Sequence, residues 1–269
     1  MVSALAPATS AVLLDPEYGA AQAVGGNVLP GGVGLIVAVE ETGYTGKPDA
    51  RQCQVLPGWS VEKARLMGAS GVKLLVYYHP QSKLAKPQRD LISAVAETCT
   101  RLDVAFFLEP LVYSIDPHRP KLSPTEHRQA VIETTRELGQ LGADVLKVEF
   151  PIDVQAQPDE TIWLQACREV SAASPVPWVL LSAGVDFDIF QKQVVVACTA
   201  GASGVMAGRA VWKEAAGLEG VQRARFLRQE AALRLNKLGE ICDRLARSWI
   251  EFYPPDSLPE GWYLSYPKH

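Results

Sequence analysis

Gly142-Ala-Asp-Val-Leu-Lys147-Val-Glu149-Phe-Pro151 sets the terms for the rest of the chain. From Val145 to Phe150 it is short, apolar and β-rich, so it reads as a buried strand. It nevertheless carries a lysine and a glutamate two residues apart. Side chains at i and i+2 of a strand share a face, so Lys147 and Glu149 point the same way. Two charges in a buried strand are costly outside a polar site. The segment alone fits a buried ion pair as well as it fits a functional site.

The same design recurs along the chain. Ala11-Val-Leu-Leu ends at Asp15 and Glu17. Gly34 to Val39 ends at Glu40 and Glu41. Val72 to Tyr78 carries Lys73, and Val104 to Leu108 ends at Glu109. Trp178 to Leu181 runs into Ser182-Ala-Gly184, and Gly204 onward ends at Gly208-Arg209. Between these runs lie helical patterns at 60–67, 86–101, 124–141, 159–173 and 186–199. Residues 45–58 and 114–124 read as loops, the latter broken by three prolines. A long helix is expected over about 220–252, with a kink near Gly239 and an irregular tail at 253–269.

Strands alternating with helices at roughly thirty-residue spacing make parallel βαβ units. With no GxGxxG after the first strand, the reading is a TIM (β/α)8-type barrel spanning 1–269 as a single domain. Seven barrel strands are recognisable, one fewer than a closed eight-stranded barrel.

Composition narrows the function classes. The 269 residues are 48% hydrophobic and 21% charged, an ordinary globular balance. A net charge of −4 without a basic run argues against nucleic-acid or membrane-surface partners. No apolar stretch reaches membrane-spanning length. Five scattered cysteines make no CxxC pair, and four histidines make no HxxxH, so a reduced cytoplasmic protein without a metal site is expected.

Polar residues at the C-terminal ends of barrel strands are the active-site candidates. A neutral lysine there attacks a carbonyl and forms a Schiff base, and burial or a neighbouring cation favours the neutral form. Lys147 and Lys73 provide such a pair. Glu109 stands between them in sequence as a proton shuttle. Ser182, Gly184, Gly208 and Arg209 lie at strand-to-helix junctions suited to an anion. Ser182 also fits a helix cap and Arg209 a surface salt bridge. Asp15 and Glu17 fit capping, Glu40 and Glu41 either solvation or substrate hydroxyls, and Tyr77, Tyr78 and His79 packing or loop roles.

The motifs AVLLDPEYG, GLIVAVEETGY, GWSVEKARLMGASGVKLLVYY, VAFFLEPLVY, DVLKVEFP, WVLLSAGV and GVMAGRAVW together resemble the class I tagatose-1,6-bisphosphate aldolases of the LacD type. That group belongs to the DeoC/LacD-like Schiff-base aldolases, which include sulfofructosephosphate aldolase. The resemblance runs from about Ser10 to the long C-terminal helix. It implies reversible cleavage of a phosphorylated ketose into dihydroxyacetone phosphate and an aldehyde such as glyceraldehyde 3-phosphate. It implies Lys147 as the Schiff-base lysine, Glu109 as acid/base and Lys73 as the second active-site lysine. Ser182, Gly184, Gly208 and Arg209 would bind the phosphate of the dihydroxyacetone-phosphate half, with no cofactor or metal. Glu149 falls to a supporting place. The family pattern has an Asp-Gln-Arg-Gly strand ahead of DPEYG, and this sequence starts just before DPEYG. The expectation is a barrel lacking the first β/α unit, with exposed strand edges that favour homo-oligomers. Two alternatives stay open: a non-catalytic sugar-phosphate-binding or regulatory barrel, and an aldolase for a sulfonated sugar phosphate.

Overall fold

The structure is a computed structural model that describes residues 1–255 and 257–264. The strands are β1 (Ala11–Leu14), β2 (Gly34–Ala38), β3 (Thr45–Lys47), β4 (Ala50–Gln52), β5 (Gly71–Tyr78), β6 (Ala105–Val112), β7 (Val145–Val148), β8 (Trp178–Leu181) and β9 (Gly204–Met206). Seven of them form one curled sheet in the order β1-β2-β5-β6-β7-β8-β9, every neighbouring pair parallel. Strand order equals chain order, which is the winding of a (β/α) barrel. Among the described residues β1 and β9 each pair on one side only, so the sheet is open between them.

The helices are α1 (Val2–Leu5), α2 (Ala21–Gly25), α3 (Val61–Leu66), α4 (Ala85–Leu102), α5 (Pro124–Leu138), α6 (Glu160–Ala173), α7 (Phe187–Thr199), α8 (Arg209–Trp212), α9 (Gly220–Phe226) and α10 (Ala232–Leu245). Local chemistry sets several of their starts. Ser60 caps α3 through the Lys63 N–H. Ser123 and Glu126 form a capping box ahead of Pro124 at the start of α5. Asp159 accepts from the Thr161 N–H at the start of α6. Among the described residues no helix is long and apolar enough to cross a membrane.

The alternation of β5 shows how the core is divided. Val72, Leu74, Val76 and Tyr78 are buried outward against the helices, while Lys73, Leu75 and Tyr77 lie on the other face, inside the curl. Leu108 on β6 and Leu146 and Val148 on β7 continue the outer apolar layer. Helices on the outside of a parallel sheet require this continuous hydrophobic face. The inner face is thereby left to carry polar groups.

Several boundaries differ from expectation. Residues 45–58 contain the antiparallel hairpin β3–β4, whose register is Thr45–Gln52, Gly46–Arg51 and Lys47–Ala50. Three-residue polar strands lack the apolar alternation that marks a strand in sequence. β7 stops at Val148 instead of Phe150. β9 stops at Met206, so Gly208 and Arg209 stand beyond it, at the start of α8. The C-terminal helix breaks at a π-type turn over Leu227–Ala231 rather than at Gly239, which lies inside α10. It also ends at Leu245 instead of Phe252. There the Ala246 backbone turns extended and the Arg247 N–H donates to the Ala202 carbonyl at 2.9 Å, drawing the chain onto the end of α7. Trp249–Glu251, within the expected helix, is a single 3-10 turn, as is Trp262–Leu264 in the expected tail; Asp256 and 265–269 lie outside the described residues.

If the outer apolar layer holds the sheet, Leu146→Ala will lower unfolding free energy by about 2–5 kcal/mol. The exposed Val221→Ala control will stay within about 0.5 kcal/mol. Urea titration followed by circular dichroism measures both, and equal effects would contradict the layer assignment.

Candidate active site

Parallel register builds the site before any side chain is considered. Ala38 pairs with Lys73, Lys73 with Phe107 and Phe107 with Val145, across β2, β5, β6 and β7. Two residues further along each strand, the same face presents Glu40, Leu75, Glu109 and Lys147. Lys73 therefore starts one row below two carboxylates and reaches up between them.

The four charges form an alternating file. Lys147 Nζ lies 2.7 Å from Glu109 Oε1, and Lys73 Nζ lies 3.5 Å from Glu109 Oε2. On its other side the Lys73 ammonium contacts Glu40 Oε1. The side chains of Lys147, Glu109, Lys73 and Glu40 are 13%, 9%, 8% and 8% exposed. Burial of this depth demands that each charge meet its opposite. The second oxygen of Glu40, Oε2, is buried without a hydrogen-bond partner among the described residues.

The Lys147 ammonium is held below the ordinary lysine range. Burial is the main cause, and the Lys73 cation adds to it. The Glu109 carboxylate opposes both. The amine thus has a carboxylate at hydrogen-bond distance that can take its proton, and a second cation that makes giving it up easier.

Glu149 also faces inward, one row further along β7. Its Oε2 accepts from the Val112 N–H at 2.8 Å, tying β7 to the end of β6. Burial raises its carboxyl to about 7, with the Glu109 charge contributing in the same direction and the Val112 hydrogen bond opposing.

The other expected residues gather beyond the ends of β8 and β9, which follow β7 in the sheet. Ser182 follows β8 and is buried, and its Oγ accepts from the Gly208 N–H at 3.2 Å. Ala183 and Gly184 take φ of 46° and 76°. A Cβ at Gly184 would stand 3.4 Å from the Arg209 guanidinium carbon, so glycine lets that cation lie close over the turn. The Arg209 guanidinium makes no hydrogen bond or ion pair among the described residues. Ser182, Gly184, Gly208 and Arg209 are therefore one cluster, distinct from the charge file.

Asp15 accepts from the Tyr18 N–H at 2.6 Å and so caps the turn after β1. With Glu17, Glu40 and Lys73 it also lines a cavity of about 280 Å³. Tyr78 lies outside the barrel, donating to Glu137 at 2.7 Å, while Tyr77 lies inside. His79 Nδ1 accepts from the Gln81 N–H in its loop. Glu41 accepts from Gln54 at the chain surface. Glu40 is the site residue that sequence reading left undecided. Its placement on the inner face, in the row of Glu109, could have been read from the alternation Ile36, Ala38, Glu40. Among the described residues no group of three or more His, Cys, Asp or Glu side chains is disposed to hold a metal ion.

A parallel curled barrel sheet whose inner face carries a buried lysine against a carboxylate is the frame of an imine-forming enzyme. Residues 1–214 match the model of the DeoC/LacD family of aldolases. A Streptococcus pyogenes protein called tagatose 1,6-diphosphate aldolase 2 is 32% identical, covering 92% of this chain and 81% of its own length. The protein of that name from Streptococcus mutans is 33% identical, with 92% and 80% covered. The chain belongs to the DeoC/LacD aldolase family. Among solved structures, an archaeal fructose 1,6-bisphosphate aldolase superposes with a TM-score of 0.58 over 90% of this chain and 99% of its own. At 19% identity that likeness concerns the fold.

The Glu149 carboxyl makes a signed prediction about stability. Its pKa is about 7 when folded and about 4.5 in an exposed chain. The folded state therefore holds the proton more tightly, and stability is lost as pH rises from about 4.5 to about 7, by about 3 kcal/mol at most. Glu149→Gln should be more stable than the wild type at pH 8 and close to it at pH 4.5. Urea midpoints at the two pH values read this out; a variant less stable at pH 8 than at pH 4.5, relative to wild type, would reverse the assignment.

Proposed function

We propose that this protein is a class I aldolase that reversibly cleaves a phosphorylated ketose, tagatose 1,6-bisphosphate, into dihydroxyacetone phosphate and glyceraldehyde 3-phosphate. The observation that carries the reading is the buried Lys147 amine 2.7 Å from Glu109 with the Lys73 cation behind it. The names of the two streptococcal relatives supply the sugar.

The chemistry follows from those positions. The Lys147 ammonium gives its proton to the Glu109 carboxylate, and the neutral amine attacks the ketose carbonyl to form a carbinolamine. Glu109 returns a proton to the departing hydroxyl, water leaves, and an iminium ion remains. Glu109, again a carboxylate, takes the proton of the hydroxyl on the carbon beyond the scissile bond. The carbon–carbon bond then breaks, its electron pair flows into the iminium as an enamine, and the aldehyde departs. Protonation of the enamine carbon and addition of water release dihydroxyacetone phosphate and restore Lys147. Ser182, Gly184, Gly208 and Arg209 hold the phosphate of this half. Lys73 holds Glu109 between two cations and depresses the Lys147 pKa. The unpartnered Oε2 of Glu40 is an acceptor for a sugar hydroxyl.

Borohydride reduction in the presence of dihydroxyacetone phosphate should attach the three-carbon unit to Lys147, read by peptide mass mapping, and Lys147→Ala should abolish both the adduct and turnover. An adduct at another lysine would remove the mechanism. Binding of sugar phosphate with no turnover would favour a regulatory barrel instead. Separately, Lys73→Met deletes the cation that favours the neutral amine. The rising limb of its kcat/KM profile should therefore move to higher pH than in the wild type. A shift to lower pH would contradict the role given to Lys73.

A further inference from the structure

Arg51 is placed where no charge pairing explains it. It lies on β4 of the hairpin inserted after β2, half-buried, with no carboxylate partner among the described residues. Its guanidinium carbon stands over three aromatic rings: 4.8 Å from Tyr44, 5.0 Å from Tyr77 and 5.0 Å from Tyr113. Its Nε donates to the Pro48 carbonyl at 3.0 Å. Its terminal nitrogens have no acceptor among the described residues. The cage is braced from outside: the Arg51 carbonyl accepts from Gln88 on α4 at 3.2 Å, the Tyr77 N–H donates to Cys53 Sγ, and the Tyr113 hydroxyl donates to Ser82. Cation–π contacts orient the guanidinium without using its outer N–H groups.

Position relates this cage to the reaction. Tyr77 stands on the inner face two residues beyond Leu75, which pairs with Glu109. It is thus one row above Glu109 and Lys147, about 7 Å along the strand. Its phenol feels the charges of both Arg51 and Glu109. Next to the cage opens a cavity of about 410 Å³ lined by Arg51, Tyr113, Ser114, Lys121, His127 and Asp153. The Asp153 carboxylate accepts from the Gln155 and Ala156 N–H groups of its own loop. Arg51 and Lys121 thus bring two cations to the lining of this cavity. The Ser182–Arg209 cluster stands across the sheet, beyond β8 and β9.

We propose that Arg51, held by Tyr44, Tyr77 and Tyr113, binds the phosphate at the far end of the ketose, the end released as the aldehyde. The inference rests on the aldolase reading and adds to it the residue that selects a doubly phosphorylated sugar. An extended six-carbon bisphosphate then lies across the mouth, its first phosphate at Arg209, its carbonyl at Lys147 and its last phosphate at Arg51. The guanidinium fork matches a tetrahedral oxyanion in two hydrogen bonds. A terminal sulfonate shares that geometry with less charge, so the substrate series must separate the two.

The test compares kcat/KM for a ketose 1,6-bisphosphate, the same ketose 1-phosphate, and its 6-sulfonate 1-phosphate analogue. Wild-type protein should prefer the bisphosphate over the 1-phosphate by about 10- to 100-fold, the worth of a charge-assisted pair. Arg51→Met should erase most of that preference through KM, and Arg51→Lys should restore part of it. A preference for the sulfonate would assign the cage to a sulfonated sugar and overturn the phosphate assignment. A wild-type protein that does not distinguish the bisphosphate from the 1-phosphate overturns the proposal even if the variants fail to fold. So does an Arg51→Met protein with the wild-type ratio. Borohydride trapping of dihydroxyacetone phosphate on Lys147 does not involve the distal group. Failure of trapping would therefore strike the aldolase reading, while intact trapping with no discrimination would strike Arg51 alone.

Discussion

The alternating file Lys147–Glu109–Lys73–Glu40 is the constraint on which the molecule turns. Four charges with side chains between 8% and 13% exposed are tolerable only in mutual contact. That contact depends on four strands meeting in one register, since a slip of one residue would send every one of these side chains into the apolar outer layer. The outer layer prevents the slip: Val72, Leu74, Val76, Leu108, Leu146 and Val148 must all face the helices. Hydrophobic packing outside the barrel thus holds ionic geometry inside it.

The same file explains how one carboxylate serves several proton transfers in the proposed reaction. Glu109 touches both lysines, so its charge is balanced whichever lysine is protonated. Burial holds the Lys147 ammonium below the ordinary lysine range. Glu149 sits one row away, its carboxyl raised to about 7, and serves to tie β7 to β6 through Val112. Two carboxylates one row of the barrel apart thereby take different work, because one has cations beside it and the other a backbone N–H.

Much of this was legible in the chain. Apolar runs alternating with helical patterns at roughly thirty-residue spacing, and charges carried within the runs or at their ends, identified the parallel barrel and the pair Lys147–Glu109. Less legible were features without a local signature. The β3–β4 hairpin is three polar residues a side, with nothing apolar to mark a strand. The C-terminal helix has no breaker at Ala246, where it stops because Arg247 reaches a carbonyl of Ala202. Glu40 and Glu41 are chemically alike as neighbours, and only strand alternation separates the one inside the barrel from the one beside Gln54 at the surface.

What the sequence determined by itself is therefore the order of elements, the face each strand residue takes and the chemical types available, because these follow from periodicity and short-range hydrogen bonding. What only the tertiary structure decided is which of those residues meet. Lys73 and Glu40 are 33 residues apart, Lys73 and Glu109 36, Glu109 and Lys147 38, and Arg51 and Tyr113 62. No local rule joins such pairs. They come together because parallel strands stack in register and the sheet curls, bringing distant inner-face residues within the reach of a single lysine or arginine side chain.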